Sequence, residues 1–166
     1  MPLTTSIYRG ISASQVGSID LGKPRFEFSP AAISIDLADG VLDYQASKIW
    51  TDRRTIAASG SESLDFAGTL VDALGATLTF TAIKAIYVKA DAANTNDVVV
   101  GGAVSNGFVG PFSDVTDKIR VKPDGSFSWV APKTGVTVTA GTGDLLLVAN
   151  SSGTTGVTYD IIVVGI

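Results

Sequence analysis

Short apolar runs alternate with polar residues along most of this chain, and turn residues interrupt them about every 8 to 12 positions. No segment offers three helical turns of amphipathic spacing. A chain patterned in this way has to bury its apolar faces by pairing strands and stacking sheets. The pattern predicts an all-β fold, specifically an antiparallel β-sandwich that is jelly-roll-like.

Ala31, Ile33, Ile35 and Leu37 alternate with Ser34 and Asp36 as in a half-buried strand, and Ala38-Asp39-Gly40 supplies a turn. Val41 to Ile56 reads as a long or broken strand with one polar face. The densest patterning lies between Ser63 and Ala90. There Leu70 to Gly75 reads as a tight reversal or a single helical turn stopped by glycine. The apolar phase slips between Phe80 and Ile83, which predicts a bulge or a short bend. The strands on either side of the reversal, Leu64 to Gly68 and Thr77 to Lys89, are expected to be the scaffold's core pair. Farther on, Pro123-Asp124-Gly125 is a reverse-turn signal between Lys118–Val121 and Ser126–Ala131. Gly141 to Asp144 turns the chain toward Leu145–Ala149, and the chain ends within a strand, Tyr159 to Ile166.

At 166 residues the chain is one domain in length and shows no dividing linker. A domain of this size buries roughly two-thirds of its unfolded surface, so it needs no covalent staple. Residues 31–166 are expected to form the sandwich and residues 1–30 an extended N-terminal arm. The first 30 residues have no sustained period, and they are locally basic in a chain whose net charge is −4. Two readings of them stand open: a poorly ordered tail, and an arm lying on a neighbour.

The chain contains neither histidine nor cysteine. Ser-His-Asp and Cys-His catalysis are thereby excluded, and so are disulfides and thiolate metal sites. Folding in a reducing cytoplasm is the natural expectation. An acidic balance argues against a nucleic-acid partner, since phosphate binding needs clustered Lys and Arg. No run of about 18 apolar residues is available to cross a membrane, and the amino terminus is not patterned as a secretory signal. Charged residues make up 17% of the chain, against the roughly 25% usual in globular domains. Burial of a weakly charged surface in subunit contacts is one explanation, and a large monomeric core is another.

Several clusters warrant a chemical reading. Asp36, Asp39 and Asp43 lie close together, but turn and edge placement explains them better than paired-carboxylate catalysis. Asp91, Asn94, Asn96 and Asp97 are oxygen donors without the spacing of a calcium loop. Neither a cofactor nor a metal site is expected. Trp50 and Trp129 can be read as sugar-stacking platforms or as core residues. Trp50 beside Arg53 and Arg54 has the composition of an interface hot spot or of a solvated strand face.

Leu64-Asp65, Ala67-Gly68, Leu70, Asp72 and Gly75, followed by Phe80, Ile83-Lys84-Ala85-Ile86 and Val88, carry a resemblance. It continues through Gly101-Gly102-Ala103, Asn106, Phe108, Asp117-Lys118-Ile119 and Pro123 to Gly125. It closes with Val138 to Leu146, Asn150-Ser151 and Tyr159-Asp160-Ile161. Over roughly residues 55 to 166 the chain resembles small structural proteins of tailed-bacteriophage virions, most closely capsid decoration (cement) proteins. The resemblance implies a non-enzymatic β-sandwich protein on the outer capsid surface of a virion. Such a protein would form homotrimers and contact the major capsid protein. On that reading Tyr8, Arg9, Lys23 and Arg25 are candidate contacts to an acidic shell, with Trp50, Arg53 and Arg54 as candidate interface residues on the body. A tail or head-fibre component and a carbohydrate-binding module for host attachment are the alternatives.

Overall fold

Strand formation follows the alternation closely. The computed structural model describes residues 2–17, 20, 22–29 and 33–166, and all regular structure among them is β. The strands are β1 (Thr5–Arg9), β2 (Ala13–Val16), β3 (Arg25–Phe28), β4 (Ile33–Asp39), β5 (Gln45–Ala46), β6 (Lys48–Ile56), β7 (Ser61–Asp65) and β8 (Leu70–Val71). They continue with β9 (Thr77–Leu78), β10 (Ala82–Ala90), β11 (Val98–Gly101), β12 (Lys118–Val121), β13 (Ser126–Val130), β14 (Val136–Thr137), β15 (Leu145–Asn150) and β16 (Val157–Gly165).

Two antiparallel sheets face each other. One has the order β13-β10-β16-β6, with β14 pairing β10 beyond the end of β13; the other has the order β12-β11-β15-β7. Alternate residues of each strand point between the sheets. Val157, Tyr159, Ile161 and Val163 of β16, with Ile86 and Val88 of β10, meet Val98, Val100, Leu146, Val148 and Leu64 from the opposite sheet. All are buried, and each stabilises the fold by about 1.5–3 kcal/mol relative to exposure. Phe66 lies edge-on to both Phe80 and Phe108, with ring centroids 6.1 and 5.2 Å apart. All three rings are buried in the same core.

The irregular points have local causes. Register shifts between Ile83 and Ala85 where β10 pairs β16, so the irregularity lies inside β10 and not between Phe80 and Ile83 where the apolar phase slips. The Leu70–Gly75 reversal is the turn of a two-stranded hairpin, β8 with β9. One carboxylate oxygen of Asp72 accepts from the backbone N–H groups of Leu74 (2.8 Å) and Ala76 (2.9 Å), and Gly75 supplies a φ of +85°. The expected core pair is rearranged. β7 and β10 belong to different sheets and are not paired, because β15 claims β7 and β16 claims β10. The Pro123-Asp124-Gly125 turn likewise forms, closed by Gly125 N–H donating to Lys122 O at 2.8 Å, but it carries the chain from one sheet to the other.

Ahead of the sandwich, β1 pairs with β4 over Thr5↔Leu37 to Arg9↔Ile33, and β4 pairs in parallel with β5 at Ala38↔Gln45 and Asp39↔Ala46. β2 and β3 form a separate hairpin, Ala13↔Phe28 to Val16↔Arg25. The expected division between residues 30 and 31, and the start of the alternation at Ala31, lie outside the described residues. On either side of them the β1–β4 ladder joins the first segment to the second, so β4 is bonded to the arm and not to either sandwich sheet.

Candidate interaction surface

The outer face of the β13-β10-β16-β6 sheet follows from register alone. Residues directly opposite one another across an antiparallel ladder share a face. Three rows therefore cross this face in parallel. The first is Val130–Ala85–Val164–Ile49 and the second Ser128–Tyr87–Ile162–Thr51; the third, Ser126–Lys89–Asp160–Arg53, is charged. Two rows that are largely apolar thus end against a polar row.

The β1–β4 ladder covers part of this face. Leu37 is fully buried with Ala46, Ala85 and Val164, and Leu3, Ile7, Ile35 and Val130 pack around them. Side chains at odd positions of β1 face the sheet, and those at even positions face away. Arg9 reaches across to donate to the Ser128 hydroxyl at 3.2 Å. Ser6 donates to Asp36 at 2.7 Å, and Leu3 N–H donates to Asp39 at 3.0 Å. These carboxylates therefore fasten the arm, which accounts for their clustering in the sequence. The base of the arm is fastened by Lys84, whose ammonium donates to the carbonyls of Leu42 (3.2 Å), Pro132 (3.4 Å) and Lys133. Burial holds the Lys84 pKa below the ordinary lysine range, partly opposed by Asp43.

Between β1 and the uncovered part of the rows runs a groove of about 820 Å³. One wall is the continuous stretch Thr4 to Ile11, and the floor includes Ile49, Ala85, Tyr87, Ile162 and Val164. Even and odd residues of β1 both line it, which places the groove along the free edge of the strand. Among the described residues β1 pairs with β4 alone. Thr5 Oγ1 and Arg9 Nε, on side chains that face the sheet, are buried without a hydrogen-bond partner.

The β2–β3 hairpin presents the opposite character. All eight of its residues are exposed. Ala13, Gln15, Phe26 and Phe28 share one face by register, with Phe26 at 66% and Phe28 at 53% exposure. The other face carries Ser14, Val16 and the Arg25–Glu27 ion pair. A two-stranded hairpin is marginal in water by itself, and paired exposed phenylalanines are the composition of a contact surface.

The residues singled out from the sequence separate into three groups. Tyr8 (73% exposed) stands at the groove wall with Arg9, and Arg25 is on the hairpin, with Lys23 two residues before β3. Arg53 lies on the outer face and pairs with Asp160 (3.2 Å) and Asp91. A backbone N–H from Ala93 does most to lower the Asp91 pKa, with Arg53 adding to it.

Trp50 and Arg54 point the other way. Trp50 is 4% exposed within the core, so its indole offers no platform to a sugar or a partner; Trp129 is half-buried against the same core. Arg54 turns toward the second sheet, donating to Glu62 (2.6 Å) and Asp52 (2.9 Å), while the buried Tyr159 hydroxyl donates to Glu62 at 2.9 Å. The Glu62 hydrogen bond does most to raise the Arg54 pKa, and burial does most to raise that of Tyr159. This cluster ties edge strands β6 and β7 together. The alternation at 50, 52, 54 and 56 shows that these four share a face; only the tertiary structure shows that the face is the inner one.

The oxygen donors at Asp91, Asn94, Asn96 and Asp97 do not converge. Asn94 bonds both backbone groups of Thr158, Asn96 bonds Thr155 and Thr154, and Asp97 accepts from Arg120 (3.3 Å) and Lys122 (3.0 Å). Each is committed to fastening the 91–97 loop to a neighbouring strand or loop.

The sequence reading missed β1, whose sheet-facing residues Thr5, Ile7 and Arg9 are mostly polar, and it missed β2 and β3 altogether. With both faces exposed, their apolar residues show no useful alternation, and Phe26 and Phe28 two apart were the one available signal. What the fold defines is an all-β sandwich bearing an apolar, incompletely covered arm. Comparison of the chain with protein-family models, with curated proteins and with solved structures finds no match.

Proposed function

We propose that this protein is a non-enzymatic structural component of a bacteriophage virion. It binds the outer capsid surface as an oligomer, a homotrimer in the simplest form, and reinforces the shell. The observation that carries the reading is the exposed apolar arm on a weakly charged sandwich. Phe26, Phe28, Tyr8, Ile11 and Val16 are all exposed and lie within the first 28 residues. Exposed apolar surface of this kind marks a site of protein–protein contact. The resemblance of residues 55–166 to decoration proteins supplies the partner class.

The sheet order supports the jelly-roll-like part of the reading. Counting only the eight long sandwich strands in chain order, the two sheets run 6-3-8-1 and 5-4-7-2. The chain crosses between sheets at every connection but one, as in a double-sheet jelly roll.

The mechanism is mechanical. An oligomer touching several capsid subunits at once combines modest contacts into a tight one through effective concentration. Subunits so bridged separate only when all the contacts break together. Purified protein should add to shells lacking it at a fixed number of copies per hexamer, measured by quantitative gel densitometry and cryo-EM. Labelling confined to the tail would overturn the capsid assignment, and loss of binding on removal of a surface glycan would point to host attachment instead.

A further inference from the structure

We propose that the groove along β1 is the seat of the β2–β3 hairpin of a second copy of this chain. In that seat β3 adds to the free edge of β1 and sets Phe26 and Phe28 on Ile162 and Ile49. The inference rests on the self-association in the reading above and is independent of the capsid.

The groove's shape selects an extended chain. It follows β1 from Thr4 to Ile11, about 25 Å of strand at roughly 3.3 Å per residue. A small molecule would fill only a fraction of that length. An open strand edge offers main-chain donors and acceptors to an incoming strand, and pockets beside it take alternate side chains. β3 fits both requirements, because among the described residues it pairs with β2 alone and carries its aromatics two residues apart on one face.

Desolvation sets the direction. Running antiparallel to β1, the incoming β3 places Phe28 beside the apolar rows and carries Arg25 and Lys23 toward the polar row, where Asp160 and Asp124 pair with Arg53 and Lys89. A parallel β3 would instead set those cations over the apolar rows, at the cost of their hydration. The hairpin and the groove are different surfaces of one chain, so the contact is head-to-tail. Head-to-tail contacts of this type close into rings when the rotation permits.

Mass in solution and complementation between variants test this. The hairpin variant Phe26→Ser/Phe28→Ser and the groove variant Ile162→Glu should each be monomeric. Self-association should weaken at least about thirtyfold per lost anchor. Ile49→Glu, on the same floor, serves as a second groove variant, and thermal unfolding checks that each variant retains its fold. An equimolar mixture of the hairpin and groove variants should form a one-to-one dimer and nothing larger. One partner then keeps a groove and the other keeps a hairpin. A monomeric wild-type chain would overturn both the contact and the oligomer in the functional reading. An oligomer that survives the double phenylalanine change, or a mixture that stays monomeric, would overturn the groove assignment alone.

Discussion

The ammonium of Lys84 is nearly solvent-free, held by three loop carbonyls, and burial lowers its pKa. Unfolded lysine keeps its proton to about pH 10.4, and the native chain releases it earlier. Between the two values the unfolded state binds more protons, so stability rises with pH. Tyr159 acts in the opposite sense. Above about pH 10 its phenol ionises in the unfolded chain and stays protonated in the fold, so stability falls. The urea midpoint of the wild type should therefore climb toward about pH 10 and then decline. Lys84→Met should flatten the climb and Tyr159→Phe should soften the decline, both measured by urea titration from neutral to alkaline pH. Tyr159→Phe also removes a hydrogen bond to the Glu62 carboxylate and should cost roughly 1.5–3 kcal/mol at neutral pH.

The two halves of the molecule differ in how firmly their strands are held. β10 and β16 are paired on both edges and buried on the inner face, whereas β1 and β4 rest on a small cluster around Leu37. Openings of different size follow from this difference. Leu37→Ala should cost about 2–5 kcal/mol locally, read as lost hydrogen-exchange protection in β1 and β4 while β10 and β16 keep theirs. Simultaneous loss in all four strands would show that arm and sandwich open as one unit. The strands that the sequence made legible include those with an alternating burial pattern, such as β15 and β16. β2 and β3 were illegible because neither of their faces is buried, so no period of two in hydrophobicity could arise.

At the scale of the whole molecule, the aromatic trio is the test of cooperativity. Phe66 touches both Phe80 and Phe108 from a position between the sheets. Phe66→Ala should cost about 3–5 kcal/mol and lower the thermal midpoint of the entire sandwich, in contrast to the local effect of Leu37→Ala. A calorimetric scan of both variants separates the cases, since only the Phe66 change should move the main transition.

The sequence by itself determined the class of fold and the places where the chain turns. It also determined that no histidine or cysteine chemistry is available. These depend on local alternation, turn residues and composition, and no distant contact can alter them. The tertiary structure decided which strands pair. Turn signals such as Pro123-Asp124-Gly125 specify a reversal without specifying whether the chain returns to its own sheet or crosses to the other. It also decided which face of β6 looks inward, taking Trp50 into the core, turning Arg54 toward the second sheet and leaving Arg53 outside. Period-two alternation marks two faces, but only the opposing sheet determines which of them loses water. The groove along β1 is of the same kind: its wall and floor come from strands more than 30 residues apart, and it exists only because Leu37 and Ile7 bring the arm down onto the sheet.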